Sequence, residues 1–285
     1  MRAVPAIPVD AQGRALIFLY RRAHSVIRAQ VQAAIERGNL GTERQRRAQL
    51  ARVEAVLRKL ERDQRSILPD AMRRPYGAAA IATDVVLGLS PDEFAFDGVN
   101  EQAVEIGIAA LHDRLATARV NVGRYVDDLF RQVQLEHAAV GVAVADTRRD
   151  VTRRMIADLR AHGVTAFVDR ANRRWSLERY ATMTVRTNTR EMVTLATVNR
   201  LEANDTDLIA VSAHRGSCAI CLPWQGRTYS LSGTDDRYPK VETVNGRLWL
   251  PPFHPQCQHV AHPARATFED FERELGLADV PPLPV

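Results

Sequence analysis

Along the first two-thirds of the chain, apolar residues return at helical intervals with arginines alternating between them. Leu16, Ile17, Leu19, Tyr20, Val26 and Ile27 share spacings that suit one face of a helix beginning near Ala11. Gly38 and Gly41 close that helix, Gly38 near a C-cap position. A second helix, over 42–68, carries Leu50, Val53, Leu57 and Leu60 at a heptad-like spacing that suits antiparallel packing on the first, and Pro69 ends it. A segment punctuated by Pro75, Gly77, Gly88, Pro91 and Gly98 follows. Residues 101–162 then read as helical, with Asn100 as cap; Gly107, Gly123 and Gly141 mark breaks or close helix packing, so two or three helices are expected before Gly163 stops the pattern.

After Gly163 the periodicity shortens. Residues 165–169 and 174–176 read as strands joined by a hairpin-like 170–173, and Ser176 is placed to cap a helix over 177–201. Residues 208–212 form a buried-strand pattern, 227–231 alternate, and Asn245-Gly246 is a tight-turn signal before 247–250. An acidic amphipathic stretch, 268–277, leads to a proline-rich end. The expected fold is α+β: a long helical N-terminal two-thirds and a small C-terminal α+β module built on a zinc knuckle. The expected division is 1–164 as the helical interaction and assembly region, 165–265 as the module, and 266–285 as the tail.

The net charge of +5 is modest for a dedicated nucleic-acid binder. Basic side chains do gather on helical stretches, and Arg44, Arg46, Arg47, Arg58, Lys59, Arg153 and Arg154 are the candidates for phosphate contact. The bland alternative is a solvated helix face laced with i,i+4 ion pairs, and the lack of stacking aromatics in the 42–74 stretch favours it. The opening residues lack the apolar run of a secretion signal, and no stretch is long enough to span a membrane. With three clustered cysteines rather than an even framework, the chain is expected to be soluble and made in a reducing cytosol.

Those cysteines carry the candidate chemistry. Cys218 and Cys221 form a C-x2-C knuckle, and after 32 intervening residues His254 and Cys257 form an H-x2-C pair. Two short-range pairs brought together from a distance are how chains usually supply the four thiolate or imidazole ligands of a tetrahedral zinc. His259 and His262 are alternative fourth ligands, with His214 behind them, and the spacing leaves that choice open. A redox pair lacks its βαβ context, a cysteine nucleophile lacks any local signature, and no carboxylate lies beside the donors as a general base. The reading is a structural zinc, not a catalytic one. Trp224, Tyr229, Trp249 and Phe253 are expected to be the module's core.

The ordered run of motifs resembles a known family. Trp175-Ser-Leu-Glu-Arg-Tyr180, with Met183, Arg186 and Thr187, is followed by Asp207-Leu-Ile-Ala-Val-Ser212-Ala-His214 and by Cys218-Ala-Ile-Cys221-Leu-Pro-Trp224-Gln225-Gly226. Over 165–263 this resembles the phage minor capsid protein 2 family, and the closing His254-Pro-Gln-Cys257 is similar to the His-Pro-Asn-Cys ending of Mu-F-like head morphogenesis proteins, with Gln256 standing where those proteins usually have Asn. The resemblance implies a non-enzymatic minor component of a tailed-phage head, present in several copies near the portal vertex. Its partners would be portal and capsid proteins and its location the virion head. The competing readings are a DNA-interacting packaging or ejection factor using the basic helices, and a cysteine- or zinc-dependent hydrolase.

Overall fold

The computed structural model describes residues 11–139 and 148–276. Gly141, expected as a helix break, and the proline-rich end at 281–284 lie outside them. Helix α1, Ala11–Glu36, buries Leu16, Tyr20, Ile27, Val31 and Ile35 on one stripe. It ends where Gly38 turns to φ +66° and Asn39 N–H donates to the Ala34 carbonyl at 3.1 Å. Helix α2, Glu43–Arg65, opens on a capping box: Gln45 N–H donates to Thr42 Oγ1 at 3.2 Å while Gln45 Oε1 accepts from Thr42 N–H at 3.1 Å. Val53, Leu57 and Leu60 are its buried apolar residues.

Pro69 does not end that helix. It lies in the first turn of α3, Leu68–Leu87, where a missing N–H costs nothing. The segment expected to be broken by Pro75 and Gly77 is this helix, with Pro75 inside it. Burial explains why: Ala71, Met72, Tyr76, Ala79, Ala80 and Ala82 are all within 1 % of complete burial, and packing of this kind outweighs local propensity. Helix α4, Gly98–Ala139, likewise runs unbroken through Gly107 and Gly123. At Gly107 a Cβ would lie 2.5 Å from Met192 Sδ, so this glycine serves close packing. Helix α5 is Arg148–His162.

Strands β1 (Thr165–Val168) and β2 (Arg174–Ser176) pair antiparallel, and α6, Leu177–Ala203, follows with Ser176 Oγ accepting Arg179 N–H at 3.2 Å. The remaining strands are short: β3 (Leu208–Val211), β4 (Thr228–Ser230), β5 (Thr243–Val244), β6 (Arg247–Leu248) and β7 (Ala261–Pro263). β3 is central in an antiparallel β4-β3-β7 sheet, β5 pairs with β6, and α7, Phe268–Glu274, packs on α3 and β7.

The chain divides into two compact units. One gathers Ile67–Leu111 with the chain from Met183 onward; the other gathers Ala15–Ser66 with His112–Thr182. These units cut across the boundary expected at residue 164. In the first, Arg200 Nε donates to Asp84 at 2.7 Å, with Asp84 fully buried, and Tyr76 hydroxyl accepts from Asn199 and donates to Asn100 at 2.7 and 2.8 Å. In the second, Arg119 donates to the Tyr20 hydroxyl at 3.0 Å and to Gln64 Oε1 at 2.9 Å.

Candidate metal centre

The three-stranded sheet brings the two knuckles together by its register. β7 is antiparallel to β3 with Ala261 opposite Val211, so residues before 261 lie beside residues after 211. β4 is antiparallel to β3 with Thr228 opposite Ala210, so residues before 228 emerge at that same end. Ser212 N–H to the Val260 carbonyl (2.9 Å) and Gly226 N–H to the Val211 carbonyl (2.8 Å) hold the three chains there. Each knuckle is itself a turn: Cys221 N–H donates to the Cys218 carbonyl and Cys257 N–H to the His254 carbonyl, both at 3.0 Å.

The donor atoms converge on this end. His254 Nε2 stands 3.2 Å from Cys218 Sγ and 3.2 Å from Cys221 Sγ; the two sulfurs are 3.6 Å apart, and Cys221 Sγ is 3.7 Å from Cys257 Sγ. A tetrahedral ion with metal–sulfur bonds of about 2.3 Å places thiolates roughly 3.8 Å apart. The Cys218–Cys221 and Cys221–Cys257 spacings fit such an ion, but the donors fall into two groups, Cys218, Cys221 and His254 in one and Cys221, Cys257 and His259 in the other; all three cysteines are free thiols. His254 Nδ1 lies 2.8 Å from the Pro255 carbonyl, a bond only an N–H can make, which leaves the Nε2 lone pair aimed at both sulfurs. The backbone N–H groups of Cys221 and Ile220 pull the exposed Cys218 thiol down to about 7. Burial, then the Cys257 charge, pushes Cys221 well up.

Cys257 and His259 form a second group with Cys221, which is common to both. His259 Nδ1 lies 3.6 Å from Cys257 Sγ, while Nε2 reaches Gln225 Oε1 and Ser217 Oγ, each at 3.2 Å. Its ring stacks on His214 at 4.1 Å. Burial, followed by the His214 and His254 charges, lowers His259 to about 4, so it is a neutral imidazole near pH 7. His262 joins neither group: it lies in β7, its Nδ1 on the Pro263 carbonyl and its ring against Phe268 and Phe271. Cys221 and Cys257 also belong to the module's apolar cluster, with Tyr229, Phe253, Leu250 and Ile209, and Trp224 and Trp249 pack against it.

The basic candidates part ways. Arg46 is buried, donating to both Glu43 and Asp127, and cannot meet a phosphate. Arg47, Arg58 and Lys59 are exposed but hold i,i+4 pairs with Glu43, Glu54 and Asp63, and Arg153 pairs with Asp150. Arg44 and Arg154 are exposed. Paired charges along α2 match the solvated-face alternative.

The molecule is thus a helical protein whose short-stranded C-terminal end gathers cysteine and histidine donors. Residues 21–263 match the family model described as phage minor capsid protein 2, and the chain belongs to that family. The match begins far upstream of the residues carrying the resemblance, so α2 to α5 belong to the family pattern along with the Cys/His end. Neither the search of curated proteins nor the search of solved structures gave a match. Among the described residues no helix is long and apolar enough to cross a membrane.

Proposed function

We propose that this chain is a structural, non-enzymatic part of the phage head, seated near the portal vertex, and that one zinc ion on Cys218, Cys221, His254 and Cys257 staples its C-terminal module. The observation that carries the reading is that one family match spans both the long helices and the entire donor cluster. Zinc, when bound, supplies a cross-link without redox chemistry. Cys221 and Cys257 are each 1 % exposed, out of reach of a substrate, and four protein ligands leave no open position. His259 stands next to Cys257 as the alternative imidazole. In this reading residues 165–265 are the stapled module and the helices before them supply the surface for portal and capsid proteins.

The test is a quantitative protein inventory of early proheads, DNA-filled heads and emptied heads. A constant low copy number in all three is expected. Departure with the DNA would overturn the structural role in favour of a DNA-bound factor using Arg44, Arg47, Arg58 and Lys59. Metal analysis of protein purified without chelators should find one zinc per chain, and zinc-free protein would remove the staple.

A further inference from the structure

Helix α6 carries a buried cation that pairs with no carboxylate among the described residues. Arg190 is 3 % exposed, its Nε has no hydrogen-bond partner among the described residues, and its Nη1 reaches the Arg186 carbonyl oxygen at a long 3.4 Å. Among the described residues no carboxylate forms an ion pair with it. A guanidinium stays protonated at physiological pH, and burying one without an anion is strongly unfavourable. The fold holds it there nonetheless.

The face it occupies identifies the missing charge. Thr187 Oγ1 accepts Gln256 N–H at 3.3 Å, and Thr194 Oγ1 donates to the Pro251 carbonyl at 2.7 Å. Positions 187, 190 and 194 follow the i, i+3, i+7 stripe of one helix face, so Arg190 sits between two anchors of the 251–257 segment. Burial lowers its proton affinity to about 10, and Cys257 is the charge that acts in the opposite direction.

We propose that Arg190 is the counter-cation of the metal centre, balancing the single negative charge that three thiolates and a neutral imidazole leave on a dication. This rests on the zinc reading above. With Arg190 in place, the charge of the centre is balanced from the buried side, without an exposed partner. Arg190 acts through Cys257, as a positioning and charge-balancing residue.

The experiment uses the full chain as wild type, Arg190→Met and Arg190→Lys. Zinc affinity is read by competition with a chromophoric chelator, and the denaturant midpoint of each metal-free protein is read beside it. Loss of an outer-shell partner typically costs about 10- to 100-fold in metal affinity. Arg190→Met is expected to fall in that range, Arg190→Lys to recover most of it, and metal-free Arg190→Met to be no less stable than metal-free wild type. A purely structural arginine predicts the reverse, lower metal-free stability with unchanged affinity, and that result overturns the proposal. Wild type that takes up no zinc overturns the zinc reading and this inference with it. Wild type that takes up zinc, beside an Arg190→Met variant of equal affinity, overturns the inference alone. Should Arg190→Met not fold, Arg190→Gln removes the same charge and gives the same readout.

Discussion

The helical unit and the Cys/His module bury polar groups in opposite ways. In the helical unit, Arg119 is 7 % exposed but donates to Tyr20 and Gln64, with Glu61 at 4.0 Å, so its charge is answered by residues on α1 and α2. In the module, Cys218, Cys221 and His254 face one another with Cys257 beside Cys221, and among the described residues Arg190 pairs with no acid. The scaffolds differ correspondingly. α1 and α2 run 26 and 23 residues, whereas the strands of the module run two to four. Long helices satisfy their own backbone and need only an apolar stripe; strands this short cannot stand alone and need a cross-link. On the zinc reading, the module's stability draws on its donor cluster as well as its small apolar core, and the stability of the unit holding α1 and α2 on packing alone.

The sharpest way to break that comparison is to remove Cys221, the one donor common to both groups. Cys221→Ser, or chelation of the wild type, should release the metal and abolish hydrogen-exchange protection across 208–263 while residues 15–66 stay protected. Structural zinc supplies apparent free energies of about 10–16 kcal/mol in small domains, as much as a whole domain's stability. Equal loss of protection in both units would refute the separation.

A smaller effect is expected from Arg119→Met. It removes hydrogen bonds to a charged group and leaves Gln64 and Tyr20 with buried, underused polar atoms, for a loss of about 3 kcal/mol. The loss should appear only in the denaturant transition of the helical unit, with zinc content unchanged. A change in zinc content would show that the two devices are coupled.

Much of this was legible in the sequence, for physical reasons that also explain the failures. α1, α2 and α6 keep a helical period over their length, and β3 alternates. That Cys218, Cys221 and His254 would gather was legible because cysteine and histidine are scarce and stand in short-range pairs. α3 was missed because Pro75 and Gly77 are local breakers, whereas what holds the helix is nonlocal: the Asp84–Arg200 pair and the rings of Phe94 and Phe96 against Gly77. Arg46 was misread because its partner Asp127 lies 81 residues away. Arg190 carried no signal at all, since a buried arginine and a surface one look alike until the face of α6 is known.

The smallest effects are expected where the backbone is strained. Both regions place a left-handed residue at a critical turn, Gly38 at φ +66° closing α1 and Gln256 at φ +63° between His254 and Cys257. Left-handed backbone costs an L-residue about 1–2 kcal/mol, less for Asn, whose short side chain bonds locally. At Gly38 an added Cβ meets nothing within 4 Å, so Gly38→Ala should lose about 1 kcal/mol through conformation alone. At Gln256 the turn is held by its N–H on Thr187 and by the donors on either side, so the strain is tolerated rather than absent. Gln256→Asn should therefore raise the module's stability by about 0.5 kcal/mol, read as a higher denaturant midpoint for the metal-loaded protein. The gain should keep its size in Arg119→Met, because the two sites lie in different units. A loss on Gln256→Asn would mean that the longer amide makes a contact worth more than the strain it carries.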